Sequence, residues 1–168
     1  DGLQDARVLI VDECEPGRQA TSRLLEQNGA RTVRVADVDS AKRLLRQTPA
    51  AFDLLITNCG HGSTDITPLV RLFESSTSLE HVSVIVSVQA NKRRDIQRAV
   101  AGGRFQVQRK PISRPAQFIE LCTQAVADAR VRRSRAAERT VRTSSRAGEP
   151  AASEAVRPEV TRRLRILL

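Results

Sequence analysis

The chain has 168 residues and a formal net charge of +9, a length that suits one domain with an appendage rather than two full domains. Four Phe are its only aromatic residues, so its core must consist mainly of Val, Leu, Ile and Ala, and base stacking is a poor mode of nucleic-acid binding for it. No apolar run is long enough to span a membrane, and no signal-peptide pattern opens the sequence.

The positive charge is concentrated towards the carboxyl terminus. Residues 130–168 contain 11 Arg and 4 Glu, a net charge of +7, which leaves 17 basic and 15 acidic residues, a net charge of +2, in the preceding part. The predicted folded region is therefore nearly neutral.

The three cysteines, Cys14, Cys59 and Cys122, are far apart and form no C-x-x-C pair. They predict neither a disulfide framework nor a zinc site, and they suit a reducing, cytoplasmic environment.

Short apolar runs alternate with amphipathic segments in chain order. The predicted strands are 7–11, 32–36, 52–57, 82–87 and 105–109. The first helix begins at Pro16 and ends at Asn28-Gly29. The second follows a cap at Asp39 or Ser40 and ends near Pro49; the others are predicted at about 67–76, 91–102 and 113–132.

This order is (βα)5. Short connections between five βα units predict a doubly wound, parallel, five-stranded sheet with helices on both faces, because crossovers between parallel strands are right-handed. Function in such α/β folds lies at the carboxyl ends of the strands.

Polar residues stand at those predicted strand ends. They are Asp12 and Glu13 after the first strand, Asn58 after the third, Ser87 at the end of the fourth and Lys110 after the fifth. The parallel arrangement predicts that these side chains meet at one edge of the sheet.

The runs 8–13 (VLIVDE), 52–56 (FDLLI) and 109–112 (RKPI) resemble the receiver domain of two-component response regulators, over about residues 5–128. The resemblance implies a flavodoxin-like fold and a phosphorelay function. It also implies that Asp12 and Glu13 are the acidic pair that holds Mg²⁺, and that Ser87 and Lys110 are the phosphate contacts. Asn58 would occupy the phosphoacceptor position, where the family has an aspartate.

The sequence departs from the family pattern at the residues that carry the chemistry. The carboxamide of Asn58 is not an anionic nucleophile and cannot form an acyl phosphate. Replacement of the family's aspartate by Asn58 also removes a carboxylate ligand, so Mg²⁺ binding at this pocket should be weak at most. Val107 replaces the aromatic residue of the family's conformational switch, and the loop 59–65 lacks the family's Met-Pro and Asp-Gly. We therefore expect a degenerate receiver, a pseudo-receiver, that is not an enzyme, requires no cofactor and acts by protein contact.

Three other hypotheses remain open at this stage. Asp65 could serve as a non-standard phosphoacceptor, whereas Asp53 belongs at the start of its strand, about 15 Å from the site. His61 is most simply an exposed loop residue. The Arg-rich segment could bind nucleic acid, but no DNA-binding helix pattern follows it, so a solvated linker is the better interpretation.

The two ends of the sequence suggest a larger parent protein. Residues 131–160 read as an Arg-rich linker, partly helical and then disordered. Residues 161–168 repeat the basic-then-apolar pattern of residues 6–11 and look like the first strand of a second receiver domain. The lead-in 1–6 is similar to the segment that precedes the first receiver of a hybrid sensor histidine kinase. These similarities imply that the segment belongs to a bacterial hybrid histidine kinase. Its partners would then be the kinase domain or a neighbouring receiver domain of the same chain.

Overall fold

A computed structural model describes residues 2–59, 65–89 and 105–147 of the chain. The predicted helix 91–102, the loop that contains His61, and the possible strand at 161–168 lie outside these described residues. The predictions made for them are not addressed by the structure.

The described part contains five strands and four α-helices. The strands are β1 (Arg7–Val11), β2 (Arg31–Val35), β3 (Leu54–Cys59), β4 (Ser83–Val88) and β5 (Phe105–Arg109). The helices are α1 (Glu15–Glu26), α2 (Val38–Gln47), α3 (Thr67–Ser75) and α4 (Pro115–Ala147), with short 3-10 turns at Pro49–Ala51 and Thr77–Leu79.

The strands form one parallel sheet in the order β2-β1-β3-β4-β5. The chain therefore moves from the centre of the sheet to one edge, returns, and continues to the other edge. This order confirms the predicted doubly wound, flavodoxin-like α/β fold. It places β1, β3 and β4, which carry or precede Asp12, Asn58 and Ser87, in the interior of the sheet, and β5, which precedes Lys110, at its edge.

Each face of the sheet buries a separate hydrophobic cluster. One cluster lies beneath α2 and α3 and includes Leu45, Leu55 and Phe73. The other lies beneath α1 and α4 and includes Leu25 and Phe118. The lead-in also belongs to the second cluster, because Leu3 is 1 % exposed and Ala6 is fully buried. Burial of these apolar surfaces on both faces is the main force that holds the layers together.

Several predicted boundaries were wrong by one or two residues. β3 begins at Leu54 rather than Phe52 and continues through Asn58 to Cys59. β4 is shifted by one residue, from the predicted 82–87 to Ser83–Val88. The cap of α2 is Asp37, whose side chain accepts a hydrogen bond from the Ser40 amide at 2.7 Å. The predicted caps, Asp39 and Ser40, were therefore wrong, although Asp37 is a residue of the same capping type as Asp39.

The predicted end of the last helix near Arg132 was also wrong, because α4 continues to Ala147. Ala, Arg and Glu favour helix, and no Gly or Pro occurs between Pro115 and Gly148. No helix within the described ranges, α4 included, is long and apolar enough to cross a lipid bilayer.

Candidate functional site

Asp12, Asn58 and Ser87 come together at the carboxyl edge of the sheet. Val11 pairs with Thr57, so Asp12 and Asn58 are the next residues along two adjacent strands. Asn58 in turn pairs with Ser87. Asn58 lies within β3 rather than after it, and Ser87 is the second-to-last residue of β4, so both positions are part of the sheet. All three residues are buried, with exposures of 6 %, 8 % and 3 % respectively.

Lys110 reaches this edge from the residue after β5. Its Nζ donates to Asp12 Oδ2 at 3.2 Å, and its side chain is 25 % exposed against 6 % for Asp12. The Lys110-Pro111 peptide bond is cis. This ion pair requires no ligand, whereas the family resemblance implies a phosphate contact for Lys110.

A second cation, Arg18, reaches the main chain of Asp12 from α1. Arg18 donates from Nη1 to the main-chain oxygen of Asp12 and also pairs with the carboxylate of Glu15. The amide of Cys14 donates to Asp12 Oδ1 at 2.9 Å. Sequence analysis did not find Arg18, because its position within a helix does not reveal which neighbouring strand its side chain reaches.

Two buried polar atoms at the end of β3 have no hydrogen-bond partner among the described residues. They are Oδ1 of Asn58 and Oγ1 of Thr57. Such atoms are uncommon in folded proteins and carry a desolvation cost. The Asn58 amide is thus held at the site without a specific contact to its oxygen.

The predicted switch position, Val107, is a core residue. It pairs with Val86 on β4, and it is half-buried against the cluster beneath α2 and α3. The aromatic residue nearest to it on β5 is Phe105, whose ring packs edge-on against Phe73 with 6.1 Å between ring centroids. Phe105 therefore has a packing role at the start of the strand.

The residues at this edge do not fit a resident Mg²⁺ ion, which requires several hard oxygen ligands. Each oxygen of Asp12 already accepts a hydrogen bond from the chain, two of them from cations. Among the described residues, no group of three or more His, Cys, Asp or Glu side chains could hold a metal ion. Cys122 belongs to the cluster beneath α1 and α4, where burial raises the pKa of its thiol to about 12.

Asp65, the candidate non-standard acid, is exposed and lies just before α3. Its Oδ1 accepts a hydrogen bond from the Thr67 amide at 2.9 Å, and hydrogen bonds from the hydroxyl and the amide of Thr67 lower the pKa of Asp65. It lines a hollow of about 400 Å³ between α2 and α3 together with Lys42, Arg46 and Arg71. None of Asp12, Asn58, Ser87 and Lys110 lines that hollow.

A second polar cluster lies at the opposite, amino-terminal edge of the sheet. We call it the basal cluster; its members are Asp53, His81, Ser83, Arg132 and Arg133. Asp53 is 3 % exposed. Its Oδ2 accepts from the Arg7 amide at 2.9 Å, and its Oδ1 lies 2.7 Å from Arg133 Nη1. The carboxylate therefore joins α4 to the sheet, at the end remote from Asn58.

Arg132 makes the second attachment of α4 to this edge. Its Nη2 donates to Ser83 Oγ at 2.6 Å, while Ser83 Oγ donates to the Ala125 carbonyl, also at 2.6 Å. Arg133 Nη2 donates to the Phe52 carbonyl at 2.9 Å. Sequence analysis assigned both arginines to the start of a linker. The acidic Asp53 at the edge of a buried strand was the signal that a cation must lie nearby.

His81 should give the basal cluster a dependence on pH. Burial and the nearby Arg133 lower the pKa of His81 from its ordinary 6.5, opposed by a hydrogen bond to Phe52 and the charge of Asp53, with a further lowering from Arg132. As pH falls below about 6.5, the unfolded chain binds a proton that the folded chain resists, so the free energy of unfolding should decrease.

Urea unfolding of wild type, His81→Gln and His61→Gln at several pH values between about 7.5 and about 5.5 measures this effect. We expect wild type and His61→Gln, which changes the other histidine, to lose more stability on acidification than His81→Gln. Equal losses in all three proteins would show that His81 does not resist protonation.

Solved structures supply the comparison with known proteins, since no protein-family model and no curated protein sequence matches the chain. A response regulator receiver domain protein from Clostridium thermocellum superposes with a TM-score of 0.63 at 20 % identity, covering 77 % of this chain and 97 % of that one. The receiver domain of a signal transduction histidine kinase from Syntrophus aciditrophicus superposes with a TM-score of 0.61 at 20 % identity, covering 73 % of this chain and 90 % of that one. A response regulator from Thermotoga maritima superposes with a TM-score of 0.59 at 20 % identity, covering 73 % of this chain and 98 % of that one.

These similarities establish the receiver fold of the chain. Identities of 20 % do not establish function, because one fold hosts many activities and the site residues determine which is present. The roles of Asp12, Glu13, Asn58, Ser87, Lys110 and Val107 therefore remain predictions that depend on the geometry described above.

Proposed function

We propose that this chain is a pseudo-receiver of two-component signalling that regulates by protein contact, without aspartyl phosphorylation. The observation that carries the proposal is Asn58. It is buried at the carboxyl end of the central strand β3, beside the strand that leads to Asp12 and paired with Ser87 on β4. In a receiver fold this is the position of the phosphoacceptor.

The chemistry of the Asn58 amide explains why phosphoryl transfer from a phosphohistidine should fail at this position. Attack on a phosphohistidine requires an anionic oxygen, whereas the oxygen of Asn58 carries no full charge. A buried neutral amide also gains no nucleophilicity from its surroundings. Lys110, the predicted phosphate contact, is instead paired with Asp12.

The absence of an aromatic switch supports the same proposal. Val107 is held in the core by its pairing with Val86, and it lacks a ring that could move between two positions. A receiver that neither accepts a phosphoryl group nor couples it to an aromatic residue has no covalent signal to transmit. Its surfaces must then act through contact.

We place the domain in a cytoplasmic, bacterial hybrid histidine kinase, with its kinase or a neighbouring receiver as partner. This part of the proposal depends on the sequence patterns at residues 1–6 and 161–168. The helices that flank β4 and β5 are the candidate contact surfaces, and of these α4 is the one that the structure describes.

The proposal predicts that the domain stays unlabelled by phosphodonors. Wild-type protein is incubated in millimolar MgCl₂ with radiolabelled acetyl phosphate and, separately, with a phosphorylated histidine-containing phosphotransfer domain. An intact receiver treated in the same way is the positive control. We expect acid-stable, base-labile label on the control and none above background on the wild-type chain.

Asp65→Asn separates the main alternative from the proposal. If the wild type acquires base-labile label and Asp65→Asn does not, Asp65 is a working phosphoacceptor and the pseudo-receiver proposal is wrong. Label that survives in Asp65→Asn also contradicts the proposal and points to another acid. The exposure of Asp65 and its hydrogen bond to Thr67 are the reasons for which we expect neither result.

A further inference from the structure

The buried carboxylate of Asp12 is surrounded by donors from its own chain. Oδ1 accepts from the Cys14 amide at 2.9 Å and Oδ2 from Lys110 Nζ at 3.2 Å. The main-chain oxygen accepts from the guanidinium of Arg18. Two positive charges therefore lie within contact distance of a residue that is only 6 % exposed.

Arg18 is well placed to remain at this position. Its side chain is 14 % exposed, and its guanidinium also pairs with Glu15 one turn earlier in α1. Gly17 permits the first turn of α1 to approach Asp12, since a Cβ at Gly17 would lie 3.2 Å from Asp12 Oδ2. The guanidinium is thus held by contacts with both Asp12 and Glu15.

We infer that Arg18 takes the place of the divalent cation in the acidic pocket, so that this domain maintains its site without bound metal. Arg18 and Lys110 supply two positive charges against the carboxylates of Asp12 and Glu15. A Mg²⁺ ion would have to compete with Arg18 and Lys110, which already pair with these carboxylates and would repel a further cation at short range. It would also find a neutral amide at Asn58 where a receiver offers a carboxylate.

The inference builds on the pseudo-receiver proposed above, but the two can fail separately. The proposed function concerns the transfer of phosphate to the chain. The role of Arg18 concerns cation binding in the absence of any phosphodonor. Failure of one experiment therefore does not decide the other.

The test compares cation binding by wild type, Arg18→Ala and Arg23→Ala. Arg23 is an exposed arginine of the same helix, so its replacement matches the change in net charge away from the pocket. Mg²⁺ binding is measured by calorimetry, and Mn²⁺ by the paramagnetic broadening of backbone amide signals. We expect no saturable binding below millimolar concentrations in wild type and Arg23→Ala. In Arg18→Ala we expect an increase in affinity of about tenfold or more, with broadening at Asp12 and Glu13.

Arg18→Gln, which retains a hydrogen-bond donor but removes the charge, provides a second variant in case Arg18→Ala folds poorly. Thermal unfolding with MgCl₂ or EDTA is an independent measurement, because a cation that binds the folded state raises the melting temperature. We expect such a rise in the Arg18 variants alone. Saturable sub-millimolar binding of Mg²⁺ to the wild type, or equal affinities in all variants, would overturn the inference.

Discussion

Replacement of Asp53 by Ala should lower the free energy of unfolding by about 2 kcal/mol, because it removes the buried carboxylate that pairs with Arg133, whose side chain is 35 % exposed and partly screened by solvent. Asp53 connects three strands and a helix. Its side chain binds the Arg7 amide and Arg133, its amide donates to the Arg7 carbonyl, and its carbonyl accepts from the Ser83 amide. The two main-chain bonds survive the substitution, so the expected loss belongs to the carboxylate.

Urea unfolding of Asp53→Ala, Asp53→Asn and Asp39→Ala isolates this contribution. Asp53→Asn keeps an oxygen for the Arg7 amide but removes the charge, and we expect an intermediate loss. Asp39→Ala removes an acid that is 80 % exposed and pairs with Lys42 at 3.0 Å. Its cost should not exceed about 1 kcal/mol, since exposed ion pairs contribute little.

A double-mutant cycle with Arg133→Ala measures the ion pair directly. If the pair acts as described, Asp53→Ala should cost much less in the Arg133→Ala background than in wild type. Equal costs in both backgrounds would contradict a coupled pair and would assign the effect to the hydrogen bond with Arg7.

The basal cluster shows where sequence reasoning reached its limit. Asp53 was correctly placed outside the site, and at 3 % exposure it is buried at the edge of the sheet. Its partner Arg133 is 80 residues further along the chain, in a run of arginines with linker composition. Charge spacing indicates a helix or a linker, but it does not indicate which arginine meets a buried acid.

The elements themselves were more predictable, because their signals are local. β1 and β5 have the predicted bounds, since each is a compact β-rich run with polar residues after it. α1 ends at Glu26, two residues before the predicted stop at Asn28-Gly29, and the chain then turns at Gly29, where φ is +92°. An added Cβ at Gly29 would lie 2.5 Å from Gln4 Oε1, so both conformation and space favour glycine.

The candidate site was predictable in outline but not in its contacts. The (βα)5 order was sufficient to bring Asp12, Asn58 and Ser87 to one edge. That order did not reveal that Lys110 pairs with the carboxylate of Asp12, or that Arg18 donates to the main-chain oxygen of Asp12. Those contacts depend on side-chain directions, which the period of a helix or strand does not specify.

Truncation of the chain after Arg130 should destabilise the domain by about 3 kcal/mol or more. This cut lies at the boundary that composition suggests, but it removes both Arg132 and Arg133. Asp53 would then be a buried charge without a cation, and Ser83 Oγ would lose its bond from Arg132. A chain that ends after Thr140 keeps both arginines and should be nearly as stable as the full chain.

The same two truncations also decide how the arginine-rich segment should be studied. A loss of nucleic-acid or protein binding on truncation after Arg130 would be ambiguous, because the fold itself is weakened. Truncation after Thr140 and the variant Arg132→Ala with Arg133→Ala in the full chain separate the two causes, since only the latter should reproduce the instability. If the chain ending at Arg130 unfolds at the same urea concentration as the chain ending at Thr140, then the two arginines do not anchor α4. In that case the apolar contacts of α4 with the cluster beneath α1 and α4 are sufficient to hold the helix on the sheet.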